Sequence, residues 1–184
     1  MCAAPRLPGL PLLGLLVAIS LLANDAARGE NSSDGIMTVG HRDIAAVWLT
    51  GPSRIYRHGV LGDAIEATGL RLKMRDGREL NFQLPGDSVF EDRKARLADL
   101  DSDGGDEILV VKSKLDSSAA LAVFWHVGDR IVLVAETEPM GLARRWLNPA
   151  EAADFDQDSQ PEVAVVAMPH IGGGLKSISC TVVS

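Results

Sequence analysis

Asp99, Asp101, Asp103 and Glu107 occupy positions 1, 3, 5 and 9 of a short stretch of chain, and Asp154, Asp156, Asp158 and Glu162 occupy the same positions of a second stretch 55 residues further on. Carboxylates at alternate positions of a tightly curled loop point to its inside and form a cage of hard oxygen donors. That chemistry selects Ca2+, which takes about 6–8 oxygen ligands at roughly 2.3–2.6 Å. The first loop offers Asp99, Asp101, Asp103 and the carbonyl of Gly105, with Glu107 closing the site. The second offers Asp154, Asp156, Asp158, the carbonyl of Gln160, and Glu162. Magnesium fits less well, because it keeps its waters and demands a strict octahedron. Without a cation such carboxylates repel one another, so the order of the loop and the binding of the ion are coupled.

The residues after each loop narrow the reading. An EF-hand needs a bidentate Glu at position 12 and a helix beyond it. Here position 12 is Val110 in the first loop and Val165 in the second, each inside an apolar, β-branched run. An acid at position 9 followed at once by a strand describes a loop joining two strands of a hairpin. The correspondence runs from Ala98 to Val111 and from Ala153 to Val166 in one register, the mark of an internal repeat. The two copies differ at position 6, the sharp turn, where positive φ is expected and glycine costs least. The first has Gly104 and the second Ser159, a difference of about 1 kcal/mol, with Pro161 stiffening the second loop in partial compensation. On these residues the first loop is the more complete site.

The elements that position the loops are short. After residue 36 the apolar residues come in brief runs: 44–49, 70–74, 80–84, 108–111, 119–127, 131–135 and 163–168. Asp76-Gly77 and Gly128-Asp129 lie between pairs of these runs and read as hairpin turns. Residues 63–68 allow at most one helical turn, and no long segment repeats with a 3.6-residue period. Trp48, Trp125 and Trp146 read as core anchors, and His126 as a packing or edge residue. With 184 residues, one ordinary domain with a substantial core is expected, and its class is all-β.

Charge and composition bound the function. The formal charge is −7, and the two clusters, counting Asp106 with the first, hold nine of the 25 acidic residues; without them the balance would be +2. The acidity therefore belongs to two sites rather than to the surface, and nucleic acid is not an expected partner. Aromatic residues make up 4% of the chain, few for a stacking platform. Cys2 and Cys180 are the only cysteines, so no disulfide framework holds the fold.

The loops and the strands that follow them resemble the FG-GAP or VCBS-type repeats of integrin α-subunit-like β-propellers, whose pattern is D-x-D-x-D-G-x-x-D/E and then an apolar strand. The resemblance covers about residues 90–170. It implies that each repeat is a four-stranded blade with its calcium loop between the first two strands, and it implies the ligand sets given above. Glu107 and Glu162 stand where a final Asp is commoner, and Ser159 stands in place of Gly. Residues 37–89, with strand patterning but no acidic loop, read as a divergent blade, 90–145 as one repeat, and 146–184 as a second, incomplete one. A propeller closes with about 4–8 blades, so a chain of this length implies a partial, unclosed propeller of two to three blades. Truncation, assembly with other copies through open sheet edges, or a small open β-structure would each account for that.

At the N-terminus, Arg6 followed by the apolar run 7–23 and then small and polar residues reads as an export signal over residues 1–27, with its cleavage point undefined. A retained membrane anchor is the other reading of this run. Residues 28–36 read as a disordered spacer. Periplasmic or secreted placement follows. No HExxH, GxSxG or CxxC motif is present, and Gly172-Gly173-Gly174 reads as a turn rather than a phosphate loop. The expectation is a calcium-binding interaction or adhesion module, with a protein or cell-surface glycan as partner and the ion mainly structural. The alternative is part of an exported propeller-fold hydrolase, for which His58 and His170 are the residues to test.

Overall fold

Turn-forming residues divide the chain into short apolar runs, and each run adopts an antiparallel strand. The computed structural model describes residues 35–62, 64–139, 146–167 and 173–179. They contain twelve strands and no helix: β1 (Thr38–Val39), β2 (Ile44–Ser53), β3 (Glu66–Met74), β4 (Glu79–Gln83), β5 (Ser88–Phe90), β6 (Arg96–Ala98), β7 (Glu107–Lys114), β8 (Ala119–Val127), β9 (Arg130–Glu136), β10 (Leu147–Ala153), β11 (Glu162–Ala167) and β12 (Gly174–Ser179). The export segment, most of the spacer, both cysteines and His170 lie outside the described residues.

The two hairpins expected from their turns are present. Gly77 (φ +93°) closes β3–β4, with Met74 N–H donating to the Arg78 carbonyl at 2.9 Å. Gly128 (φ +59°) turns β8 into β9. Both positions need the left-handed backbone that glycine adopts without penalty. In β3, Leu70, Leu72 and Met74 are buried while Arg71 and Lys73 are exposed, the period-2 pattern of a strand with one face on a core. The helical turn allowed at 63–68 does not form in its described part: Glu66, Ala67 and Thr68 are the start of β3, and Glu66 and Ala67 pair with β2.

β1 to β9 form one open nine-stranded sheet in the order β1-β2-β3-β5-β7-β8-β9, with β4 paired to β3 and β6 to β7. β10, β11 and β12 form a second open sheet. Separate four-stranded units are not delimited, because β5 pairs with β3 through Ala67↔Phe90 and with β7 from Ser88↔Lys114 to Phe90↔Lys112. The large sheet curls on itself so that β4 lies beside β9. There Arg78 reaches from one turn to the other, 2.8 Å from the Gly128 carbonyl and 2.7 Å from Asp129.

β7 and β8 are covered on both faces, and their alternation serves two cores at once. Ile108, Val110, Ala122 and Phe124 point into the core enclosed by the curled sheet, with Val47, Leu49, Leu70, Leu72 and Phe90. Leu109, Leu121 and Val123 point the other way and meet Val163 and Val165 of β11. Burial on both faces explains why 108–111 and 119–124 are continuous apolar runs rather than alternating ones. The tryptophans are not the central anchors that their size suggests. Trp48 and Trp125 are half-buried, with the Arg71 guanidinium 5.9 Å from the centre of the Trp48 ring. Trp146 packs against Val111, Ala119, Leu147 and Ala167 and donates its Nε1–H to the Glu91 carbonyl at 3.2 Å. The largest fully buried side chains are instead Phe90 and Phe124.

Candidate metal centre

Each acidic loop joins two antiparallel strands, as the position of its last acid suggested. The first runs from β6 to β7, closed at its base by the pair Ala98↔Glu107, and the second from β10 to β11, closed by Ala153↔Glu162. The loops are held by the same internal hydrogen bonds. Leu100 N–H donates to Glu107 Oε2 at 2.6 Å, and Phe155 N–H to Glu162 Oε2 at 2.9 Å. Gly104 N–H reaches Asp99 Oδ2 at 3.2 Å, and Ser159 N–H reaches Asp154 Oδ2 at 3.0 Å. Asp103 N–H donates to Asp101 and Asp158 N–H to Asp156, at 3.1 and 3.2 Å. Gly105 N–H donates to Asp103 and Gln160 N–H to Asp158, at 2.6 and 2.8 Å. Short Asp side chains that accept from backbone N–H groups a few residues on are what curls the loop.

The backbone at position 6 is left-handed in both, at Gly104 (φ +90°) and Ser159 (φ +72°). Position 4 is left-handed as well, at Ser102 (φ +62°) and Gln157 (φ +66°), which the residue types did not announce. Relieving Ser159 should stabilise the second loop. Ser159→Gly is expected to raise the denaturant midpoint in chelator, through a gain of about 0.5 kcal/mol in unfolding free energy, the relief of strain less the entropy that glycine adds to the unfolded chain. Gly104→Ser should lower it by a similar amount, and equal midpoints for both variants and the parent would contradict this account.

The carboxylates converge. In the second loop one oxygen from each of Asp154, Asp156, Asp158 and Glu162 lies within 4.8 Å of all the others; in the first loop Asp99, Asp101 and Glu107 do so. Asp103 stays outside that group, although its bond from Gly105 N–H is the one Asp158 receives from Gln160 N–H. By convergence of side chains the second loop is thus the fuller cluster, whereas Gly104 had favoured the first. The first is the more buried: Leu100 packs into the core, while its counterpart Phe155 is 49% exposed.

The first loop has the donor set of a cation site in a further respect. Glu107 is 0% exposed, and its Oε1 has no hydrogen-bond partner; neither has Asp99 Oδ1, which is equally shut off from solvent. Burial pushes the Glu107 carboxyl up to about 7; the Leu100 N–H opposes this, and Asp101, Asp103 and Asp99 add to it. A buried carboxylate with a free oxygen, among like charges, is a donor that a divalent cation would satisfy directly. The residues therefore fit a divalent cation, which Asp99, Asp101 and Glu107 would hold in one loop and Asp154, Asp156, Asp158 and Glu162 in the other.

Two residues far away in sequence also meet the first loop, and a third braces one of them. Arg42, on the turn between β1 and β2, places Nη1 2.7 Å from Asp106 Oδ1 and Nε 3.7 Å from Asp99 Oδ2. Asp43 Oδ1 accepts Asp106 N–H at 2.9 Å, and its Oδ2 is 2.7 Å from His126 Nε2 at the end of β8. His126 is therefore more than an edge residue, since it braces the strut behind the loop. Asp106, counted with the acidic cluster but not among its ligands, is buried and ties the loop to that strut.

A second polar group forms away from the loops. His58 Nδ1 is bonded to Glu91 Oε1, and Ser113 Oγ lies 2.6 Å from Glu91 Oε2. Here the acid stands between the serine and the histidine, and Ser113 is fully buried. Activation of a serine requires the base itself beside the hydroxyl, which this order does not provide.

Residues 99–165 match the family model of the FG-GAP-like repeat, a span that begins at the first aspartate of the first loop and ends within β11. That stretch is an FG-GAP-like repeat containing both acidic clusters. No curated protein and no solved structure matches the chain.

Proposed function

We propose, from an FG-GAP-like repeat whose two acidic loops share one geometry, that this protein is an exported calcium-binding β-repeat protein that works as an interaction or adhesion module. The observation that carries the reading is the recurrence of the loop: its shared hydrogen bonds, its left-handed positions and the convergence of its carboxylates at positions 1, 3 and 9 all return 55 residues on. Calcium suits a ligand-rich oxygen cage better than magnesium does. Its role is structural, because each loop closes the mouth of a strand pair and holds no other reactive group. The fold is a partial, unclosed propeller of two to three blades. Support for this comes from the face-to-face packing of β10–β11 on β7–β8, the way successive blades stack. The partner is a protein or a cell-surface glycan. Phe155 and Leu175, both exposed on the last sheet and its loop, favour a contact on that side, and the open sheet edges offer a route to self-assembly.

Calorimetric titration with calcium, paired with melting curves in chelator, tests the reading. One or two sites are expected, and calcium at about a hundred times Kd should add about 2.7 kcal/mol for each site that fills only in the folded state. Asp101→Ala should remove the first site and spare the second. A melting curve that does not move across millimolar calcium would sink the proposal.

A further inference from the structure

The two loops agree in backbone and differ in electrostatic setting. The first carries a fixed cation. Arg42 lies against Asp106 and within 3.7 Å of Asp99, a member of the converging cluster. Its guanidinium is held there by more than one carboxylate, and Asp106, Asp99 and Glu107 all stabilise its charge. The turn that bears it is fastened to the loop by Asp43, which takes the Asp106 N–H. Among the described residues, no Lys, Arg or His forms an ion pair with Asp154, Asp156, Asp158 or Glu162. Four carboxylates there converge with no counter-charge among the described residues.

We propose that Arg42 is a built-in counter-cation of the first loop, keeping that loop folded without metal and weakening its hold on calcium. The inference rests on the calcium reading above. A positive charge beside Asp99 offsets part of the repulsion that would open an empty acidic loop. The same charge repels an incoming divalent cation. The first loop is then a standing fastener with a muted response to calcium, and the second is the loop whose order follows the calcium concentration. Arg42 is 46% exposed along its side chain, so solvent screens its field and the effect is moderate.

The test uses Arg42→Gln in the full chain, with Asp156→Asn added so that only the first loop titrates. At low salt, calcium affinity should rise about three- to tenfold over the Asp156→Asn parent. The gain should fade toward nothing at about 0.5 M salt, where charges separated by more than a few ångströms no longer sense each other. The melting temperature in chelator should drop, while that in saturating calcium should drop less. Arg42→Lys, which keeps the charge, should stay near the parent. Equal losses of melting temperature with and without calcium, at unchanged affinity, would make Arg42 a mere strut and overturn the proposal. If Arg42→Gln does not fold, Asp101→Asn and Asp156→Asn, which leave the second and the first loop respectively, give the comparison. The second-loop affinity should then fall more steeply with salt, and equal or reversed slopes would overturn the proposal. A parent chain with no calcium response defeats the calcium reading and this inference together, whereas a normal response with Arg42→Gln unchanged defeats this inference alone.

Discussion

Glu107→Gln should make the protein more stable in chelator and less stable in calcium, so that the two melting curves change order. In the metal-free protein the Glu107 carboxyl is pushed up to about 7 by burial and by neighbouring aspartates, against 4.5 in the unfolded chain. The folded protein therefore binds this proton more readily than the unfolded one between those two values. Its stability is highest below about pH 4.5, falls as pH rises through 7, and carries the full penalty above it. Glutamine keeps the oxygen that accepts Leu100 N–H, removes the charge, and sets an amide N–H beside the converging aspartates. At pH 8 in chelator, a gain of about 2 kcal/mol is expected, shrinking to about a quarter of that at pH 5 and vanishing only below about pH 4.5. In calcium the variant lacks a coordinating carboxylate, and first-loop affinity should weaken about a hundredfold. For the parent, calcium affinity at the first loop should fall as pH drops below 7, where the proton competes for Glu107. Melting curves at pH 5 and pH 8, each with calcium and with chelator, check every arm. Destabilisation of Glu107→Gln in chelator at pH 8 would show that no charge penalty resides at this position.

Phe124→Ala should cost about 3–5 kcal/mol, the range for deleting a large aromatic ring from a packed core. Phe124 is 0% exposed in β8, its ring 4.9 Å from that of Phe82 and 5.8 Å from that of Phe90. It thus joins β8 to β4 and β5 across the core of the curled sheet. His126, two residues along the same strand, braces Asp43 behind the first loop, so the cavity should also weaken calcium binding there while leaving the second loop unaffected. Phe155→Ala is the control: a phenylalanine 49% exposed on the second loop, worth less than about 0.5 kcal/mol. Denaturant midpoints at unchanged slope measure both. A cost below 1 kcal/mol for Phe124 would mean that the curled core is loosely packed.

Local features of the fold and of the site could be read from the residues, and distant ones could not. The loops and their following strands were legible because every bond that shapes them lies within about one loop length. The two hairpins were legible because Gly77 and Gly128 announce their turns. The strut behind the first loop was not, since Arg42 and Asp43 come from more than 60 residues before Asp106, and no local pattern marks an exposed Arg-Asp pair as a partner. The strand status of Glu66–Thr68 was hidden for the same reason: pairing with β2 overrides a weak local preference. Asp103 shows the limit of counting ligands by spacing: it accepts the same backbone bond as Asp158, yet only Asp158 joins its cluster. The tryptophans show that size alone does not place a side chain at the centre: alternation along β2 and β8 leaves Trp48 and Trp125 only half covered.

The double burial of β7 carries a consequence for how the molecule comes apart. Glu107, which fastens the first loop, is also the first residue of β7, a strand hydrogen-bonded on both edges and packed on both faces. Order in that loop is therefore wired into the cooperative unit that opens only when the whole protein does. The second loop opens onto a three-stranded sheet whose last strand is exposed along almost its full length, a unit able to detach while the rest stays folded. An ion at the first loop would govern the lifetime of the entire fold, and an ion at the second would govern how often its last layer peels away.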